Sequence, residues 1–98
     1  MGKYVYAYKG GGMPETEEEG KRVMQAWTSW FGDLGESVVD MGNPFGASAA
    51  VGDGSTSGIT GYSIVKAGSL DDALAKAKGC PILDGGNGSV EVYETVDM

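Results

Sequence analysis

The stretch 3-KYVYAYK-9 decides the fold, because its apolar residues alternate strictly along the chain. One side carries three tyrosines and the other side carries two smaller apolar residues: Tyr4, Tyr6 and Tyr8 against Val5 and Ala7. Strict alternation with this composition predicts a β-strand that is apolar on both faces. Since apolar surface is unfavourable in water, such a strand belongs in a sheet that is covered on both sides.

The rest of the chain supplies two predicted helices and three further predicted strands. Thr16 and Glu19 form a capping box at the start of a helix over residues 16–35, and Ser69 caps a second helix. The remaining strands are predicted at residues 37–41, 59–66 and 89–96. The resulting order, β-α-β-β-α-β, is the ferredoxin-like arrangement, and it predicts a single α+β domain over residues 1–98.

The first predicted helix has one apolar face. Its apolar residues fall on a single arc at helical spacing: Val23, Met24, Trp27, Trp30, Phe31 and Leu34. We expect this arc to pack on the sheet. Trp27 therefore has two interpretations, as a core residue or as a side chain that stacks on a ligand.

Two helices cover one face of a four-stranded sheet, so the other face should be polar. It is not, because the third strand carries Tyr62 and Ile64 on one side and Val65 on the other, and the fourth strand divides Val92 from Tyr93. An apolar sheet face that the chain itself leaves open is typical of an interaction surface. A second copy packed face to face about a two-fold axis would cover it, so we predict a homodimer.

Composition and charge restrict the classes of function. The net charge of −7 disfavours nucleic acids and anionic membrane surfaces as partners. The first ten residues lack the apolar region of a signal peptide, and we therefore expect a cytoplasmic protein. With no histidine and one cysteine, Cys80, we expect no metal site, and without a phosphate-loop motif we expect no cofactor.

Four blocks of the sequence carry a resemblance to a known family. They are MPETEEEG, AWTSWFGDLGESVVDMGNPFG, GYSIVKAGSLDDALAKAKGCPIL and VEVYE, and the resemblance as a whole extends from Tyr4 to Thr95. These blocks resemble the YCII-related domain family, in the branch with an Asp-Gly-Pro-Phe signature. The resemblance implies a dimeric α/β-barrel of ferredoxin-like subunits, and it implies little about activity because the family is largely uncharacterised.

The chain also departs from the family pattern. The signature reads Met41-Gly42-Asn43-Pro44-Phe45 here, so its acid is displaced unless Asp40 replaces it from one residue away. Some relatives carry a His-Asp pair proposed as catalytic, and this chain has no histidine. A histidine-dependent mechanism therefore does not transfer to this protein.

Asp40 is the candidate catalytic residue, because it is an acid at the end of the second predicted strand. The neighbouring Val39 and Met41 suggest a partly apolar setting, in which desolvation would favour a role as a general acid or base. The alternative is that its carboxylate accepts backbone N–H bonds from the turn at Gly42 and Asn43. Both roles are open on the sequence alone.

The turn after Asp40 supplies candidate ligand-binding residues. Pro44 fixes its own φ angle and favours an extended Asn43, which would hold the Asn43 amide and the Phe45 ring at the mouth of a cleft. We expect Tyr62 to form the floor of that cleft and Trp27 to be a further ligand contact. The glycine-rich segment 46–58 has no periodicity and is a candidate lid.

Three functions remain open at this stage. The first is a homodimer that binds a small, mostly apolar molecule in this cleft. The second is a metal-independent acid–base enzyme, an isomerase or lyase, that uses Asp40. The third is an interaction module in a larger assembly.

Overall fold

The computed structural model describes residues 2–10, 15–84 and 86–97. The elements are β1 (Gly2–Gly10), α1 (Glu17–Leu34), β2 (Val38–Asp40), β3 (Ile59–Ala67), α2 (Leu70–Ala77) and β4 (Gly88–Glu94), with 3-10 turns at Gly35–Ser37 and Pro81–Leu83. Across the described residues this is an α+β fold of four strands and two α-helices in the order that the sequence predicts. Both helix caps form as expected, since Thr16 Oγ1 accepts the N–H of Glu19 and Ser69 Oγ accepts the N–H of Asp72.

The sheet is antiparallel, with the strand order β2-β3-β1-β4. β1 lies at the centre and pairs with both β3 and β4. Pairing places Tyr6 between Ser63 and Val92, and places Val5 between Ile64 and Tyr93. This strand order is the ferredoxin-like one, and the two sides of the sheet follow directly from the alternation in β1.

The tyrosines of β1 lie under the helices. Tyr6 is fully buried, its ring stacks on Trp30 at 6.0 Å, and its hydroxyl donates to the carbonyl of Ala73 at 2.5 Å. Trp30 Nε1 donates to the carbonyl of Lys76 at 3.1 Å, so one aromatic pair joins both helices to the central strand. Burial raises the pKa of Tyr6 to about 12.

The helices cover this side unevenly, and α1 packs on the sheet over less of its length than its apolar arc predicts. In α1 the contact is confined to the part from Trp27 to Leu34, and Val23 and Met24 are exposed. In α2 the two alanines Ala73 and Ala77 are buried, whereas Leu70 and Leu74 remain 42% and 43% exposed. The short alanine side chains occupy the line of contact with the sheet, which turns the leucines toward the surface.

The opposite side of the sheet carries no helix among the described residues, and we call it the uncovered face. On the three longer strands, polar side chains occupy the strand ends and part of β4 on this face: Lys3, Lys9, Lys66, Ser89 and Glu91. Apolar side chains occupy its middle: Val5, Ala7, Tyr62, Ile64 and Tyr93. Ala7 is buried, Tyr93 is 52% exposed, and the others are half-buried. None of the helices in the described part of the chain is long and apolar enough to cross a bilayer.

Candidate functional site

Asp40 ends β2 at an edge of the sheet, and its side chain is exposed. Its Oδ1 accepts the backbone N–H of Gly42 at 2.8 Å. The turn-organising role is therefore confirmed, because an aspartate that bonds the N–H two residues on forms an Asx turn. The partly apolar setting that its neighbours suggested is wrong, since Val39 and Met41 are themselves exposed.

The turn after Asp40 is hydrogen-bonded along β3. The N–H of Tyr62 donates to the carbonyl of Asn43 at 3.4 Å, and the N–H of Phe45 donates to the carbonyl of Thr60 at 2.8 Å. Pro44 sits opposite Gly61 as an isolated bridge. The turn thus prolongs the β2–β3 pairing beyond Asp40 and holds its residues in fixed register with the sheet.

This pairing brings an aromatic pair and a carboxylate together, which we call the edge cluster: Asp40, Phe45 and Tyr62. The rings of Phe45 and Tyr62 stack at 5.7 Å with an interplanar angle of 22°, and Phe45 is 48% exposed. The Tyr62 hydroxyl donates to Asp40 Oδ2 at 3.4 Å. The cluster therefore offers an accessible π face beside an acceptor carboxylate, at the rim of the uncovered face.

Asn43 lies between the members of the edge cluster in sequence, and it is exposed. Its backbone carbonyl accepts the N–H of Tyr62. A ligand contact through its amide stays a prediction.

Trp27 is not brought together with the other predicted site residues. The centre of its ring lies 5.1 Å from that of Tyr8 in an edge-to-face arrangement, and the ring also packs against Trp30 and Phe31. Tyr8 is on the helix side of β1 and Tyr62 is on the uncovered face, so the sheet separates Trp27 from the edge cluster. Its surroundings are those of a core residue.

Residues 46–58 contain no helix or strand, and each of them is exposed. Val51 is fully exposed. The segment follows Phe45 directly and returns to the sheet at β3, so it begins and ends beside the edge cluster. A covering role for it stays a prediction.

A buried hydrogen-bond relay supports the turn, and the sequence reasoning missed it. The Tyr8 hydroxyl donates to Ser63 Oγ at 2.7 Å, and Ser63 Oγ donates to the carbonyl of Met41 at 2.6 Å. Ser63 is fully buried, and burial raises the pKa of Tyr8. A serine at a core-facing position of an apolar strand was the available signal, because buried hydroxyls require partners.

A second polar group on the uncovered face lies at the opposite edge. Lys9 Nζ is 2.9 Å from Glu91 Oε2, and the Tyr93 hydroxyl donates to the same carboxylate. The hydrogen bonds from Tyr93 and then from Lys9 lower the pKa of Glu91. Both of its oxygens are occupied within the chain, whereas Asp40 is bonded by its own turn and by one long contact.

Cys80 has the environment of a core residue. It is 1% exposed, and burial raises the pKa of its thiol to about 11. The thiolate is the nucleophilic form, so this cysteine is protonated and unreactive at neutral pH. Within residues 2–10, 15–84 and 86–97 there is also no group of three or more Cys, Asp or Glu side chains placed to hold a metal ion.

Comparison with known proteins defines the fold and little else. No family model matches the chain, and no curated protein matches it. Among solved structures it is similar to 5-chloro-2-hydroxyhydroquinone dehydrochlorinase (TftG) from Burkholderia phenoliruptrix AC1100, in complex with 2,5-dihydroxybenzoquinone. The TM-score is 0.61 at 17% identity, over 100% of this chain and 96% of that one. At this identity the likeness shows a common fold.

Proposed function

We propose that this chain is a homodimeric member of the YCII-related family that binds a small ring compound at the edge cluster. The observation that supports this best is the stacked pair of Phe45 and Tyr62 beside Asp40, with both the Phe45 ring and the carboxylate exposed. Exposed aromatic side chains held in a fixed orientation favour planar ligands, since rings pack offset or edge to face.

The chemistry of the edge cluster favours a ring that carries a neutral hydroxyl. Asp40 Oδ2 has one long bond at 3.4 Å, from Tyr62, and can accept a stronger one from a ligand hydroxyl. An anionic ring would be repelled by Asp40 and by the net charge of −7. The TftG complex with 2,5-dihydroxybenzoquinone supports a planar ring as the ligand, by analogy of fold alone.

The homodimer is supported by the charges that frame the uncovered face. Lys3 lies directly opposite Lys66, and neither makes an ion pair with another described residue. Like charges directly opposite each other destabilise a sheet unless carboxylates lie nearby. The acid Asp40 lies at one edge of the same face, whereas Glu91 at the other edge is already paired with Lys9. A second sheet that crosses the first steeply would place the partner's acidic edge position near these lysines.

Such a dimer would also complete a cleft. The edge cluster lies at the rim of the uncovered face, so a second sheet packed on that face would rise beside Phe45 and Tyr62. The ligand would then be held between its own subunit's aromatic pair and the wall of the other subunit. Ligand sites commonly occur where two surfaces meet in this way.

Calorimetric titration with catechol and hydroquinone tests the ligand class, with 1,2-cyclohexanediol as a ligand that keeps the hydroxyls and lacks the π face. We expect the two phenols to bind and the diol not to bind. Phe45→Ala should weaken phenol binding about 3- to 10-fold, the equivalent of about 0.5–1.5 kcal/mol for one aromatic contact.

A matched pair of hydroxyl deletions locates the site. Tyr62→Phe removes the bond to Asp40 and should change phenol affinity, whereas Tyr93→Phe removes the bond to Glu91 at the other edge and should not. Equal affinity of wild type and Phe45→Ala, or the same effect from both tyrosine variants, would place the ligand elsewhere.

A second candidate, an acid–base isomerase or lyase that uses Asp40, is favoured by the Tyr62 hydroxyl at 3.4 Å from its carboxylate. A phenol and a carboxylate side by side can donate and accept protons at neighbouring atoms of one ligand. Incubation of bound ring compounds with wild type and Asp40→Asn, followed by product analysis, tests it. We expect at least a ~100-fold loss of turnover with ring binding retained, and unchanged turnover excludes Asp40 as the base.

A further inference from the structure

The molecule has an apolar groove on the helix side, away from the edge cluster. It lies between α2 and the edge strand β4 and has a volume of about 500 Å³. Its lining combines one helix face, one strand face and the turn between them: Asp71, Leu74, Ala75, Ala77, Lys78, Leu83, Val90 and Val92. Val90 and Val92 point to the helix side of the sheet and are only half-buried, because α2 leaves the outer part of β4 open.

The rim of the groove is also apolar. Leu74 is 43% exposed and Leu83 is 39% exposed. Exposed leucines next to half-buried valines make a continuous apolar surface of the kind that proteins usually cover with a partner. The charges beside it indicate which partner.

Two opposite charges flank the exposed line of α2. Asp71 and Lys78 are seven residues apart, so they lie on the same side of the helix, and Leu74 and Ala75 lie midway between them. All four line the groove. This line of residues therefore has an acidic end, an apolar centre and a basic end.

Such a line is complementary to itself when two copies run antiparallel. About a two-fold axis between Leu74 and Ala75, Asp71 of one copy would lie opposite the partner's Lys78, and Lys78 opposite the partner's Asp71. Leu74 would pack over the partner's Ala75 at the mouth of the groove. An interface in which the same surface meets itself is the commonest kind in homo-oligomers.

The end charges are available for this contact. Among the described residues Lys76 pairs with Asp72 at 2.8 Å, and Lys9 pairs with Glu91. Asp71 and Lys78 are exposed and take part in neither pair. The neighbouring pair on the same helix is therefore satisfied within the chain, while the pair on the groove side is not.

We propose that the groove face of α2 is a second self-association surface, which pairs with α2 of another copy in antiparallel fashion. It is distinct from the uncovered sheet face, so a protein that uses both would assemble as a dimer of dimers. A contact between two helices of eight residues is smaller than a standard interface of about 1,600 Å². We expect weak association, which appears at about 10 µM and above.

Sedimentation analysis of single charge reversals tests the pairing. Lys78→Asp changes the net charge from −7 to −9, and Asp71→Lys changes it from −7 to −5. Both place like charges opposite each other, so both should abolish the higher-mass species although they move the net charge in opposite directions. Lys21→Asp, on the exposed side of α1, matches the charge of the first variant and should leave association unchanged.

Mixing the two variants restores complementarity without further mutation. One copy then has two acidic ends and the other has two basic ends, so we expect a mixed species at the wild-type mass. Because each reversal also opposes the helix dipole, circular dichroism should first establish that both variants are folded. If a variant is unfolded, Lys78→Gln and Asp71→Asn replace the reversals and should weaken association about 10-fold.

Repeating the experiment in an Ile64→Lys background tests the α2 contact by itself, because that substitution is expected to remove the sheet-face dimer. If the sheet-face dimer does not form, the wild type should assemble only as far as a dimer through α2, and Lys78→Asp should still dissociate that dimer. The proposal is overturned if all folded variants sediment alike, if the mixture does not recover the higher mass, or if the groove binds a fluorescent apolar dye equally well at low and high protein concentration.

Discussion

Gly42 shows how strongly a single position constrains the edge cluster. Its φ angle is +78°, and a Cβ at that position would lie 1.6 Å from the carbonyl oxygen of Tyr62. That oxygen belongs to a strand, so it has no room to move away. Glycine is required here because the chain must turn and lie against β3 at the same residue.

We therefore expect Gly42→Ala to detach the turn from β3 and to lower the free energy of unfolding by at least about 2 kcal/mol. Gly46→Ala is the matched control, because nothing lies within 4 Å of a Cβ there and its φ angle is not positive. Urea denaturation of both variants measures the difference. Equal midpoints for the two alanine variants would show that the turn does not depend on this close approach.

Cys80 gives a prediction for alkaline pH. Burial raises the pKa of its thiol from 9.0 to about 11. The unfolded chain releases this proton at a lower pH than the folded protein does. The contribution of the thiol to stability is therefore fully present below pH 9 and is lost as pH rises toward 11. We expect wild type to lose about 2 kcal/mol more stability than Cys80→Ala between pH 8 and pH 10.5, from the pKa difference alone.

Denaturation midpoints of both proteins at the two pH values measure this difference, and the comparison cancels the tyrosines and lysines that both proteins share. Tyr6, whose pKa is raised to about 12, adds a decline in stability at high pH that wild type and Cys80→Ala share. Parallel curves for the two proteins would mean that the thiol is accessible to water.

Local chemistry at single residues is predictable from sequence where the partners are neighbours. The bond from Gly42 to Asp40 follows from an acid placed two residues before a glycine. The relay from Tyr8 through Ser63 does not, because those residues are 55 positions apart and meet only through the register of β1 and β3. The stacking of Phe45 on Tyr62 depends on register in the same way.

At the scale of elements, the second helix depends on its cap. Ser69 Oγ accepts the N–H of Asp72 at 3.1 Å, and Asp72 Oδ2 accepts the N–H of Gly68 at 3.0 Å, so two N–H groups at the helix start are satisfied reciprocally. A helix of eight residues has little stability of its own, which makes the cap important.

We expect Ser69→Ala to lower the free energy of unfolding by about 1 kcal/mol without changing the slope of the urea transition. Ser55→Ala, in the exposed segment 46–58, should have no measurable effect. A loss for Ser69→Ala no larger than for Ser55→Ala would mean that tertiary packing alone positions α2.

Element positions are predictable because caps, glycines and alternation are local signals. Which face of a helix contacts the sheet is less predictable from sequence. The apolar stripe of α2 contains two alanines and two leucines, and hydrophobicity favours the leucines as core residues. The structure buries the alanines, because the distance between helix and sheet selects the smaller side chains, and that distance is a tertiary property.

At the scale of the whole molecule, alternation in β1 indicates two apolar faces but not which one the helices cover. The structure answers this through the hydroxyl of Tyr6, which reaches Ala73 on α2. The uncovered face is consequently the one with Val5, Ile64 and Tyr62, and the predicted dimer would use that face rather than the tyrosines of β1.

Ile64→Lys tests that dimer. Ile64 pairs with Val5 near the middle of the uncovered face and is half-buried in the single subunit. In a single subunit the lysine can reach water along the face, so folding should be retained. Between two packed sheets it would place an unpaired charge in the interface, at a cost of several kcal/mol. We therefore expect a folded monomer at concentrations where wild type sediments as a dimer.

Met24→Lys is the control, because it adds the same charge at a residue that is 70% exposed on α1. It should leave the mass of wild type unchanged, since α1 lies on the side of the sheet away from the proposed interface. The edge cluster adds a second readout: if the partner sheet forms one wall of the cleft, Ile64→Lys must weaken phenol binding together with dimerisation. A dimer of the Ile64→Lys variant at concentrations too low for the α2 contact would place the interface on another surface. Full phenol affinity in the Ile64→Lys monomer would assign the ligand site to a single subunit.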